Sequence, residues 1–227
     1  MASEVATVTA GADNLSLIKP RLRGVLHEVA FCWWLVIGVV LVVAAPTPWS
    51  RVAVAVYSVC MSFMLGVSAL LHRGRWSPRT EHVLGTLDHS GIFLAIAGTY
   101  TAVVGIALGG AVRALVLTVV WAGAVAGIVA AWLRIQPPRW LRVTAFVAVG
   151  WVAVFAFPAL WRELSPVGFI GLFAGGFVYT LGALVYATRR PDPWPHVLGY
   201  HEVFHVLVVV AAFVHLAVIA FVVVPSA

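Results

Sequence analysis

Three histidines and one aspartate carry the chemistry this sequence can do. His201 and His205 stand four residues apart in the string HEVFH, a spacing that puts both imidazoles on one face of a helix. Such a pair can grip one Zn2+, and a third imidazole from elsewhere leaves the fourth tetrahedral position to water, the arrangement of a catalytic zinc site. His72, closing the string SALLH, is the third candidate, with Ser68 one turn before it on the same face. Asp88, in LDHSGIFLAIAGTYT, is placed to bind the metal through that water or to hold the water as an acceptor. Ser68 would hydrogen-bond a ligand or the substrate.

On a soluble helix an HxxxH is usually two surface histidines, and only its surroundings make it a ligand pair. Here the surroundings are apolar. Of 227 residues, 63% are hydrophobic and 10% charged, with a mean hydropathy of +1.04. Soluble domains do not have this balance, so lipid must be part of the solvent. An Asp at the centre of a membrane helix costs about 2.5–3.5 kcal/mol, and each such group calls for a partner or a role.

A spanning helix takes about 20 apolar residues, and the apolar runs between charged, Pro and Gly punctuation fall near 27–45, 49–72, 83–108, 112–134, 141–161, 166–187 and 199–224. The predicted fold is therefore an all-α membrane protein of seven transmembrane helices. Residues 1–18 read as a disordered cytoplasmic tail, with no basic stretch before an apolar one to mark a signal peptide. Residues 19–227 form the transmembrane domain. Pro158 is expected to kink the fifth span. The glycine-rich run from Gly168, and Gly123 with Gly127, read as close helix packing in preference to a dimer face. Cys32 and Cys60 fall in apolar runs and behave as small hydrophobes without a disulfide.

Of the fourteen basic residues, Lys19, Arg21, Arg23, Arg73, Arg75, Arg79, Arg134, Arg139, Arg142, Arg189 and Arg190 share one side of the membrane. Only Arg51, Arg113 and Arg162 lie on the other. The positive-inside rule then puts the amino terminus in the cytoplasm and, after seven spans, the carboxyl terminus outside. The chain reads as a multi-pass protein of the cell inner (plasma) membrane. Trp49, Trp76, Trp140, Trp161 and Trp194 sit near span ends as interfacial anchors. The pI near 10.0 follows from this topology and from anionic lipid head groups, without nucleic acid as a partner. Charge and apolar length alone thus carry His72, Asp88, His201 and His205 to the same cytoplasmic leaflet.

The remaining polar residues have plainer readings. His89 points about 100° around its helix from Asp88 and packs beside the site. Glu202 is similarly rotated from His201 and faces a loop. His27 and Glu28 stand at the entrance of the first span, where solvation makes them cheap. His82 and His196 are loop residues. His215, ten residues beyond His205, is about 15 Å farther along the helix and bonds a neighbouring helix.

SALLH, LDHSGIFLAIAGTYT and HEVFHVLVVVAAFVH together resemble the hemolysin III branch of the progestin and adipoQ receptor superfamily, the adiponectin-receptor-like proteins, from about Lys19 to the end of the chain. The resemblance implies seven helices with a cytoplasmic amino terminus and a Zn2+ site near the cytoplasmic face. The matching positions are His72, His201 and His205 as ligands, with Asp88 and Ser68 beside the metal. It also implies lipid amide hydrolysis of the ceramidase type and a role in membrane lipid homeostasis. The entrance KPRLRGVLHEVAF is more basic than the acidic, Asn-containing one of many bacterial members, so the resemblance assigns His27 and Glu28 nothing.

The expected function is a zinc-dependent intramembrane hydrolase of a lipid amide or ester, with Asp88 as base and Ser68 orienting substrate. A pore-forming hemolysin or cytolysin is one alternative, although no span carries a polar stripe wide enough for an aqueous channel. The other is a lipid-sensing receptor in which the zinc is structural. Membrane lipids are the expected partners in every case.

Overall fold

The computed structural model of the chain describes residues 19–133, 135 and 137–227. The tail 1–18 and Arg134, which entered the sequence reading, lie outside the described residues. Among the described residues, seven helices are long and apolar enough to cross a membrane. Helix α1 is Val25–Ala44, α2 Pro48–Arg73, α3 Pro78–Ala107 and α4 Gly110–Trp132. The fifth span is composite: α5 (Arg139–Gly150), a 3-10 segment (Trp151–Ala156) and α6 (Phe157–Glu163). Helix α7 is Pro166–Thr188, and α8 (Tyr200–Val218) continues through a π-helical turn, Ile219–Val223. Among the described residues the sole strand-like pairing is a bridge between Trp194 and Leu198.

Three of these helices start with the same device. Thr47–Pro48, Ser77–Pro78 and Ser165–Pro166 each place a hydroxyl where it accepts from an amide of the first turn, at Ser50, Thr80 and Gly168, and a proline where no amide is needed. The predicted spans match to within about two residues, except that α3 begins at Pro78, not 83. Its extra turn is polar, which an apolar run cannot register, and it carries His82 exposed on a helix, not in a loop. The fifth span breaks before Pro158. The Tyr100 hydroxyl donates to the Gly150 carbonyl at 2.7 Å and accepts from the Ala153 amide at 2.6 Å, satisfying backbone groups that the break exposes.

Two close antiparallel pairs fix the geometry of the bundle. Between α2 and α3, a Cβ on Gly98 would stand 2.8 Å from that of Cys60, and one on Gly91 3.0 Å from the Met64 Cα, so nothing larger than glycine fits. With Met64 opposite Gly91, the next turn of α2 carries Ser68 to Asp88. Between α7 and α8, Gly168, Gly171, Gly175 and Gly182 lie against Val222, Val218, His215 and Leu207. The glycine run therefore packs inside the molecule. Val36, Val40 and Val43 on the outer face of α1 are exposed, as lipid contact requires, while Ala30, Trp34, Gly38 and Leu41 form its buried stripe. Cys32 and Cys60 are both free.

Candidate metal centre

Register brings the donors together at one end of the bundle. The last turn of α2 supplies His72 and the first two turns of α8 supply His201 and His205, and one nitrogen from each ring lies within 4.8 Å of the others. Ring centroids are 4.4 Å apart for His201 and His205, 4.7 Å for His72 and His201, and 5.1 Å for His72 and His205. The Nε2 atoms of His72 and His201 face each other at 3.2 Å. Two imidazoles bound tetrahedrally to Zn2+ at about 2.0–2.1 Å would have nitrogens about 3.3 Å apart. The spacing of that pair suits a zinc-sized cation, and the three imidazoles together could hold a metal ion, with the third nitrogen within 4.8 Å of the other two.

Asp88 lies on the neighbouring wall, with the Ser68 hydroxyl beside its carboxyl. Ser68 is buried and Asp88 partly so. Asp88, Ser68 and the three histidines share the lining of a cavity of about 260 Å³ that runs along the bundle as far as His215. Apart from the histidines its wall is mainly apolar, with Met64, Ile92, Ile96, Phe146, Phe204 and Val208 among the contributors.

The plainer readings fare differently. His89 faces the cavity but is used up: Nδ1 donates to the Gly85 carbonyl at 2.7 Å and Nε2 accepts from the Arg142 guanidinium at 3.0 Å. His215 donates from Nε2 to the Leu172 carbonyl at 2.9 Å, as a residue bonding a neighbouring helix should. Glu28 is exposed and pairs with Arg73 at 2.8 Å.

Two expectations are corrected. Glu202 does not face a loop but is 1% exposed, ion-paired with Arg23 and accepting from the Gly199 amide at 2.8 Å. His27 is not solvated but buried, its ring stacked on that of His205 with centroids 3.9 Å apart and planes 3° from parallel. One cause underlies both. The segment before α1 is strapped onto the loop before α8, Arg21 donating its amide to His196 at 3.0 Å and Leu22 to Val197 at 3.2 Å. The available signal for His27 was its phase: it falls on the stripe of Ala30, Trp34, Gly38 and Leu41 that turns inward.

The chain is similar over most of its length to a known family. The sequence profile of the family described as Haemolysin-III related matches residues 15–216. The Hemolysin-3 protein of Bacillus cereus is 31% identical over 178 residues, 78% of this chain and 77% of that protein. The Hemolysin-3 homolog of Bacillus subtilis (strain 168) is 31% identical over 157 residues, 69% of this chain and 70% of the relative. The Adiponectin receptor protein of Drosophila melanogaster is 30% identical over 175 residues, covering 69% of this chain but 38% of the receptor.

Proposed function

This chain belongs to the Haemolysin-III related family of multi-pass membrane proteins, and from that premise we propose that it is a zinc-dependent hydrolase of an amide or ester bond in a membrane lipid. The observation that carries the reading is the convergence of three imidazole nitrogens on the wall of an apolar cavity, with a carboxyl alongside. Zinc held by His72, His201 and His205 would lower the pKa of a water toward 7 and polarise the scissile carbonyl. Asp88 takes the proton the attacking water loses and returns it to the departing amine or alcohol. Ser68 steadies the Asp88 carboxyl and offers its hydroxyl to the substrate's polar group. The cavity receives the acyl chain and keeps bulk water from the reacting groups. The excess of basic residues at this end supports its placement in the cytoplasm, where a released head group would leave.

The test is turnover. Purified protein in lipid nanodiscs is supplied with ceramide or phospholipid, and released fatty acid is measured by mass spectrometry. Chelator-sensitive release is expected, and Asp88→Asn should lower it about 10²–10⁴-fold while zinc is retained. No release from fully zinc-loaded protein refutes hydrolysis of those lipids. The likeness to a protein named as a receptor favours a second reading, a structural zinc in a lipid sensor. Under that reading lipid shifts thermal stability without turnover.

A further inference from the structure

We infer that His27 is a positioning residue for the metal site, holding the ring of His205 by face-to-face stacking. A ligating imidazole is ordinarily fixed by a hydrogen bond from its second nitrogen to a carboxylate, carbonyl or water. Among the described residues no carboxylate or carbonyl is hydrogen-bonded to the His205 ring, and a flat ring lies against it instead, 3.9 Å away and 3° from parallel. His27 is 2% exposed, and neither of its nitrogens has a hydrogen-bond partner among the described residues. A polar ring in that condition is unfavourable on its own account. Its near-parallel overlap with His205 also keeps its in-plane lone pairs from meeting those of His205 at one ion, so it is not a fourth ligand. What the ring does supply is a π face, and a ring that has given its lone pair to a cation is electron-poor and attracted to one.

The rest of the first span's entrance holds this contact in place. Arg23 pairs with buried Glu202, the residue after ligand His201. The Arg21 and Leu22 amides bond the loop that leads into α8. Gly24, at φ 79°, starts α1 so close to α2 that a Cβ there would lie 2.9 Å from the Cβ of His72. The first helix is thus docked on both ligand-bearing helices with His27 at the junction.

The inference rests on the reading that the triad binds Zn2+, and the test separates the two. Full-length protein in detergent is titrated with Zn2+ against a chromophoric chelator, and its Co2+ form is examined by visible absorption. Wild type is compared with His27→Ala, His27→Leu and His27→Phe, each checked for a monodisperse elution profile. Expected are a Zn2+ affinity about 10–100-fold weaker and an altered Co2+ spectrum for Ala and Leu, with Phe, which keeps the ring face, restoring both. Wild type that binds neither ion defeats the zinc reading itself. Wild-type binding unchanged in His27→Ala, Leu performing as well as Phe, or Phe failing as badly as Ala each overturns the stacking role alone.

Discussion

His205 and His215 lie on the same helix, both buried, and a matched pair of alanine substitutions there isolates the metal site from mere packing. Each removes an imidazole from the interior and leaves a void of similar size, so the loss of packing is comparable. His215→Ala also removes the bond His215 makes to the Leu172 carbonyl. The effect on metal should differ completely. Ten residues at 1.5 Å each separate the two rings by about 15 Å along the axis, while zinc reaches its ligands at about 2 Å, so His215 cannot share the ion. If apparent zinc binding of about 10–16 kcal/mol is spread over four ligands, losing one costs about 2.5–4 kcal/mol. At 1.4 kcal/mol per decade that is roughly a hundred- to thousandfold weaker binding. Metal content of protein loaded with one equivalent of zinc and then dialysed, read by inductively coupled plasma mass spectrometry, should be near one per chain in wild type and His215→Ala and close to zero in His205→Ala. Stoichiometric zinc in His205→Ala, or equal depletion in both variants, would refute the triad.

Other outcomes follow from the packing that aligns the site. Gly98→Leu forces a side chain against the α2 backbone, which should cost about 1–3 kcal/mol and lower zinc content together with the melting temperature, since Ser68 and His72 move with α2. Glu202→Gln removes the charge opposite Arg23; loss of a charge-assisted hydrogen bond of this kind costs about 1.5–3 kcal/mol, visible as an earlier thermal transition. Reporter fusions should place the amino terminus in the cytoplasm and the carboxyl terminus outside, and the reverse pattern would put the triad in the outer leaflet.

What was legible in the sequence divides along physical lines. Span positions depend on apolar length and helix-start residues, both local, and they were readable to within a few residues. The triad was readable because imidazoles in lipid are costly and His201 and His205 share a helix face whatever surrounds them. His27 and Glu202 were misread for one shared reason: each stands beside a span end, where solvation is the cheaper assumption. Contacts with residues far away in the chain bury them: His205 stacks on His27, Arg23 pairs with Glu202, and Arg21 and Leu22 dock on His196 and Val197. The break in the fifth span falls just before Pro158, as that proline predicts, and a hydroxyl on α3 satisfies the backbone groups it exposes, a partner no local pattern encodes.

The cavity weighs among the alternatives that one metal site leaves open. A zinc that only staples helices needs four protein ligands and no adjoining space, whereas this triad opens onto about 260 Å³ of it. A water-conducting pore needs polar groups along its length, and the wall here is built from residues such as Ile92, Ile96, Phe146 and Val208. An apolar chain is what such a wall solvates. The polar end of that chain would come to rest where His72, His201, His205 and Asp88 meet, which is where an amide or ester carbonyl joins a lipid tail to its head group. An apolar cavity that ends at the histidines and Asp88 would suit a lipid tail with its polar end at the triad, which favours the hydrolase reading over the pore.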